Sequence, residues 1–198
     1  MGDARQTMRS TQPFSPSTSI NSAGGGGVPA ESIRPDERPR IVNLLTKDNK
    51  PSYLVLRAAR GARSACARAM RSGLATEAFE LSRVTLRRAG GVWVAAAEPV
   101  WPGYVLADAA SQEAVEELGA VGSLTAAESA LVRRLGGSAH VIQLSQGHIA
   151  GGRLVVDFGP LMGLEALVAR IDRHRRLAWL EPEPGRRLAV GLEVTSKS

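Results

Sequence analysis

Gly147-His148-Ile149-Ala150-Gly151-Gly152-Arg153-Leu154-Val155-Val156-Asp157-Phe158-Gly159-Pro160-Leu161-Met162-Gly163-Leu164-Glu165 is the most informative stretch of this sequence. Leu154-Val155-Val156 reads as a strand. Gly159-Pro160 and Gly163 fit a tight turn, because Gly supplies positive φ and Pro fixes φ near −65°. The same texture continues downstream. Ala166 to Ile171 and Leu177 to Leu180 read as further strands, separated by Asp172-Arg173-His174-Arg175-Arg176. Leu188, Val190, Leu192 and Val194 alternate strictly with Arg187, Ala189, Gly191 and Glu193, which predicts a strand with one wet face. Several strands between Val141 and the C-terminus predict a small β-barrel, a fold that closes its own edges.

Upstream the pattern is mixed. Tyr53-Leu54-Val55-Leu56 is a short apolar run that reads as a buried strand. Ala62, Ala65, Cys66, Ala69 and Met70 then recur at helical spacing, with Arg60, Arg63, Arg68 and Arg71 opposite and Gly73 placed to end the helix. Val84-Thr85-Leu86, Gly90-Gly91 and Val92-Trp93-Val94 spell a hairpin with a two-residue turn. Tyr104-Val105-Leu106 is another strand. Ser111 is placed as the N-cap of a helix carrying Val115 and Leu118. Thr125-Ala126-Ala127-Glu128 is a capping box that starts a third helix, ending at Gly136-Gly137. Residues 51–137 therefore form an expected mixed α/β domain and residues 138–198 an expected all-β one.

Residues 1–50 are expected to be a disordered tail. Gly24 to Gly27 and the scattered Pro13, Pro16, Pro29, Pro35 and Pro39 stand where large apolar side chains would be needed for a core. The tail's seven basic and five acidic residues nearly cancel, which argues against a nucleic-acid arm. Over the whole chain 25 Lys+Arg stand against 19 Asp+Glu, a net charge of +6, compatible with a polyanionic partner. The single cysteine, Cys66, allows no intramolecular disulfide and no cysteine metal cluster. With neither a secretory leader nor a membrane-length apolar run in the sequence, the expected location is the cytoplasm.

Two stretches carry a family resemblance. Glu98-Pro99-Val100-Trp101-Pro102-Gly103-Tyr104-Val105-Leu106 resembles the Pro-Gly-Tyr segment in the N-terminal domain of NusG proteins. Residues 147–165 resemble the KOW motif, which follows in the second NusG domain. The continuation Ile171 to Ala178 looks most like the specialised LoaP-type paralogues. The resemblance covers residues 52–196. It implies an α+β chain: an N-terminal NGN domain, a small antiparallel sheet with helices, followed by an SH3-like KOW barrel. It further implies a monomeric elongation regulator that binds the clamp helices of RNA polymerase and promotes processive antitermination. The polymerase-binding residues it implies are Trp101, Pro102, Gly103, Tyr104 and Tyr53, with Tyr53 also fitting a core role. Nascent RNA or non-template DNA, and in some relatives the ribosome or Rho, are the further partners. No cofactor, no metal and no membrane partner is implied.

Departures accompany the match. Val100-Trp101 replaces the usual Leu-Phe, Arg153 replaces a common acidic residue, and Ala166 replaces a usual Gly. Leu180 to Gly185 is short and proline-rich, so an irregular last hairpin is expected. Arg173, His174, Arg175 and Arg176 form a basic turn suited to phosphates across an RNA helix, or equally a solubilising turn partly neutralised by Asp172. Gly159, Pro160 and Gly163 are expected to shape the KOW turn without doing chemistry. The alternative function is a KOW-containing ribosome- or translation-associated RNA-binding protein. An enzyme is disfavoured: His140, His148 and His174 lack metal-ligand spacing, and no paired-carboxylate or phosphate-loop motif appears.

Overall fold

The computed structural model describes residues 52–109 and 112–197. The predicted tail and the predicted cap at Ser111 lie outside them. The described chain is α+β and mostly strand. Its elements run β1 (Tyr53–Arg57), α1 (Ala62–Arg71), β2 (Ala75–Phe79), β3 (Ser82–Ala89), β4 (Val92–Pro99), β5 (Tyr104–Ala109), α2 (Gln112–Glu117), β6 (Ala120–Ser123) and α3 (Ala126–Gly136). Then follow β7 (Val141–Ile142), β8 (Ser145–Ala150), β9 (Arg153–Phe158), β10 (Val168–Asp172), β11 (Leu177–Glu183) and β12 (Arg186–Lys197).

The first sheet has the order β2-β5-β1-β6, with β1 antiparallel to both neighbours. Alternation gives it two apolar faces. Leu54, Leu56, Val105 and Ala107 pack with Ala65 and Ala69 of α1 and Ala114, Val115 and Leu118 of the α2 region. The alanines let the helix approach the sheet closely. Met70, assigned by its spacing to the same stripe, is exposed instead. Tyr53, Val55, Phe79 and Leu106 point the other way, into a cluster that includes Leu131, Val132 and Leu135 of α3. That cluster continues through Ala178, Leu180, Leu188, Val190 and Leu192. One core thus draws on both sides of the boundary read near residue 138.

The predicted capping box forms. Glu128 N–H donates to Thr125 Oγ1 at 3.2 Å, and Thr125 N–H donates to Glu128 Oε2 at 2.8 Å. The Gly90-Gly91 hairpin also forms, with β3 and β4 paired from Ser82–Pro99 to Ala89–Val92. β2 and β6 were not legible in the sequence: Ala75-Thr-Glu-Ala-Phe and Ala120-Val-Gly-Ser lack a strong apolar alternation and become strands by pairing with β5 and β1.

The C-terminal strands make a five-stranded sheet, β10-β11-β12-β8-β9, in which β12 and β8 are parallel. Among the described residues β9 and β10 do not pair, so the predicted barrel is not closed by hydrogen bonds. Between these edges, Leu161 and Leu164 are buried and Leu161 N–H donates to Ser145 Oγ at 3.1 Å. The expected strand beginning at Ala166 is shorter, because Glu165–Leu167 is a turn of 3-10 helix and pairing starts at Val168. The irregular hairpin is present as a register shift between Leu180 and Glu183.

The strictly alternating strand corrects its own reading. Ala189 and Gly191, assigned to a wet face, are as buried as Leu188, Val190 and Leu192. The reason is β3, which crosses over β12. A Cβ on Gly191 would lie 2.9 Å from Leu144 Cδ1 and 3.2 Å from the Val84 carbonyl carbon, with the Val84 oxygen closer still. Arg83, buried beside it, donates from Nη1 to Ala189 O at 3.1 Å and from Nε to Glu98 Oε1 at 3.1 Å. Burial pushes the Glu98 carboxyl up, but the hydrogen bonds and charges of Arg87 and Arg83 outweigh it and leave it below the usual value.

Candidate functional site

The Pro-Gly-Tyr segment is a tight turn entering β5. Tyr104 N–H donates to Trp101 O at 3.1 Å, Pro102 occupies the second position, and Gly103 has φ +82°, the conformation a type II turn needs at its third position. The Gly103 carbonyl accepts from Ala58 N–H at 2.8 Å, which fixes the turn to the end of β1. Pro102 and Tyr104 are half-buried and Gly103 is exposed.

Trp101 and Tyr53 stand differently from the expectation of surface anchors. Trp101 is only 7% exposed and lines a small cavity with Leu131, Val132, Pro182, Arg186 and Leu188. Tyr53 is 2% exposed; its ring meets Phe79 edge-on at 5.1 Å, and the Arg133 guanidinium covers it at 4.4 Å. Burial pushes the Tyr53 phenol above its ordinary value, partly offset by Arg133. Phe79 also stacks on His140 at 3.7 Å, while His140 Nε2 lies 3.0 Å from Glu77 Oε1. Large apolar rings this close to α3 and β12 find one another before they find water. They therefore form the core between the sheets and present no free face in this arrangement.

Near the same cavity, Arg186 pairs with Glu128 at 2.8 Å, joining the end of the C-terminal hairpin to the first turn of α3. Burial raises the Glu128 carboxyl, against the lowering pull of the Thr125 N–H and Arg186.

In the KOW-like turn, Gly159 has φ +105°, and a Cβ there would lie 2.7 Å from Ser145 Cα. Only glycine meets both conditions. Pro160 follows, and Gly163, at φ +71°, completes the turn beside Arg134. Gly159 and Gly163 thus supply the positive φ of this turn.

The basic turn joins β10 to β11. Arg173 and His174 are exposed, whereas Arg175 and Arg176 are half-buried. Asp172 Oδ1 accepts from Arg175 N–H at 3.0 Å, a bond that, with Arg170 nearby, holds the Asp172 carboxyl below the usual range. Arg176 adopts φ +54°, pairs with Glu193, and lays its guanidinium 3.9 Å from the ring centre of Trp93. The four residues are therefore not one uniform patch: two face water and Arg176 reaches back to the β3–β4 hairpin. Trp93, absent from the sequence-based candidates, is the residue the structure adds. Its only local signal is a tryptophan two residues after the Gly90-Gly91 turn.

Among the described residues no group of His, Cys, Asp and Glu could hold a metal ion, and no helix is long and apolar enough to cross a membrane. No protein-family model and no curated protein matches the chain.

Proposed function

We propose that this chain is a NusG-type regulator of transcription elongation, cytoplasmic and monomeric, which acts by binding. In this reading residues 51–137 are an NGN domain held on the clamp helices of RNA polymerase, and residues 138–198 are a KOW domain that contacts RNA or a partner protein. Its outcome is processive antitermination. The observation that carries the reading is the order and geometry of the two motif turns. Trp101-Pro102-Gly103-Tyr104 turns into a central strand of the first sheet, and Gly159-Pro160 turns under the second. Polymerase contact falls to the accessible rim of that first turn, Pro102, Gly103 and Tyr104, with Trp101 and Tyr53 supporting it from within. Aromatic area at such a rim is a common source of binding energy.

Capture of core RNA polymerase by the tagged full-length chain tests this. Tyr104→Ala is expected to weaken capture by about 2 kcal/mol while the protein stays folded. Recovery of ribosomes without polymerase would overturn the reading in favour of a translation-associated RNA-binding protein.

A further inference from the structure

The tip of the β3–β4 hairpin is unusual for a surface: Val92, Trp93 and Val94 are 65%, 42% and 49% exposed. The hairpin needs none of these side chains outside to form its turn, which Gly90 and Gly91 supply at positive φ. The basic turn between β10 and β11 meets it through Arg176. That arginine occupies a left-handed conformation in which glycine or asparagine would be at ease. A strained non-glycine residue points to a role for its side chain. The guanidinium is fixed from two sides, by the Glu193 carboxylate and by the Trp93 face. Two planar groups from separate sheets thus make one rigid stack.

Beside the stack lies an open hollow of about 680 Å³, lined by Arg170, Asp172, Arg173, His174 and Arg176. Its one lining acid, Asp172, already accepts from Arg175 N–H. Glu193, outside the lining, is held by Arg176 and by Gln146 Nε2 at 3.1 Å. Arg173 and His174 face water. Arg88, the cross-strand partner of Trp93, adds a further exposed cation at the hairpin.

We infer that Trp93 and Arg176 form a stacking platform for single-stranded nucleic acid, with Arg173 and its neighbours holding the phosphates. A planar ring next to a cationic groove is the combination that binds unpaired strands, because every base has a π-face and every nucleotide a phosphate. A duplex hides its base faces and gains only the electrostatic part. The inference deepens the nucleic-acid half of the proposed function and does not depend on polymerase.

The test uses the full-length chain and its own fluorescence. Of the three tryptophans, Trp101 and Trp179 are buried, so Trp93 is the accessible one. The probes are oligo(U) and oligo(dT) of about 12 nucleotides and a duplex of the same length. Single strands are expected to quench Trp93 emission and to bind more tightly than the duplex, and the tighter of the two identifies RNA or DNA as the source. Trp93→Ala, titrated by the anisotropy of dye-labelled strands because the quench goes with the ring, is expected to lose about tenfold in affinity (about 1.4 kcal/mol) with its salt slope unchanged. Arg173→Gln is expected to keep the quench and flatten the slope by about 0.7. Unquenched Trp93, equal duplex binding, or wild-type affinity in Trp93→Ala would overturn the inference. Polymerase capture is measured on the same samples. Failed capture with quenching intact would sink the elongation reading and leave the platform standing.

Discussion

Gly191→Ala adds one methyl group where β3 crosses β12, and its effect can be worked from the contact. Gly191 has ordinary extended backbone, so no conformational strain attends an alanine. The obstacle is steric alone. The new Cβ meets Leu144 Cδ1 at 2.9 Å, which a rotamer change can relieve, and the Val84 carbonyl, which is backbone and cannot rotate away. Comfortable carbon contacts begin near 3.5 Å, so β3 must retreat by roughly 1 Å, forfeiting about a quarter to a half of the dispersion along the crossing. The shift also stretches the Arg83 bond to Ala189 O, leaving a buried guanidinium short of an acceptor. Overpacking of this kind costs about 1–3 kcal/mol and an unsatisfied buried donor about 1–3 kcal/mol. A total near 3 kcal/mol lowers the melting temperature of a chain this long by about 6–12 °C. Circular-dichroism melts of Gly191→Ala and of a control, Gly90→Ala, measure it. The control meets open space and carries only left-handed strain, about 1 kcal/mol. If Gly191→Ala melts with wild type, or no lower than the control, β3 does not pack on β12 in solution and the shared core is wrong.

Three further outcomes follow from buried and half-buried groups. Trp101→Ala should lose about 3–5 kcal/mol of stability in urea titration, since it opens a cavity under Leu131 and Leu188; a loss under 1 kcal/mol would mean that the ring is free. Arg83→Ala should cost about 3 kcal/mol at neutral pH by removing the buried partner of Glu98. The folded Glu98 value is depressed, so its pairing stabilises above the unfolded value of 4.5 and is lost as pH falls through the lower folded value. Acid melts of Arg83→Ala should show a smaller such loss than wild type. For Cys66, burial first and then Glu80 push the thiol up, so it should react with a thiol reagent more slowly than a free thiol and gain rate with rising pH. Free-thiol rates at neutral pH would refute that environment.

What the sequence disclosed was local. Thr125 and Glu128 are three residues apart and settle their bonds between themselves, and Gly90-Gly91 needs only its two flanking strands. The Pro102-Gly103 and Gly159-Pro160 turns announce themselves locally too, although Ala58 and Ser145 then hold them in place. What it concealed depends on distant partners. Ala189 and Gly191 look like a polar-tolerant face until β3 arrives, and small side chains there suit a close crossing as well as they suit water. β2 and β6 carry too little apolar character to declare themselves without β5 and β1. The Trp93–Arg176 stack joins residues from different sheets, and neither position announces the other. The α+β class and the local turns were therefore readable, whereas barrel closure and the composite surface were not.

The shared core bears directly on how the two proposed interfaces can act together. Trp101 and Tyr53 pack on one side against the first sheet and α3, and their cluster continues into β11 and β12. A partner that took hold of the Trp101 ring would have to displace Pro182, Arg186 and Leu188, and break the Arg186–Glu128 pair. The free energy of that displacement subtracts from the partner's affinity, because a binding-competent state populated in only a fraction of molecules weakens apparent binding by that fraction. Tyr104 and the exposed Gly103 escape this penalty, since the turn reaches water without any rearrangement. The platform at Trp93 escapes it too, but for the opposite reason: it exists only while β3–β4 and the basic turn remain together. On the proposed reading, closed packing favours the platform at Trp93 and leaves the Pro102–Tyr104 rim as the surface a polymerase could reach without rearrangement. A ligand that drew β3–β4 away from the basic turn on its way to Trp101 would dismantle the stack, so those two events should compete.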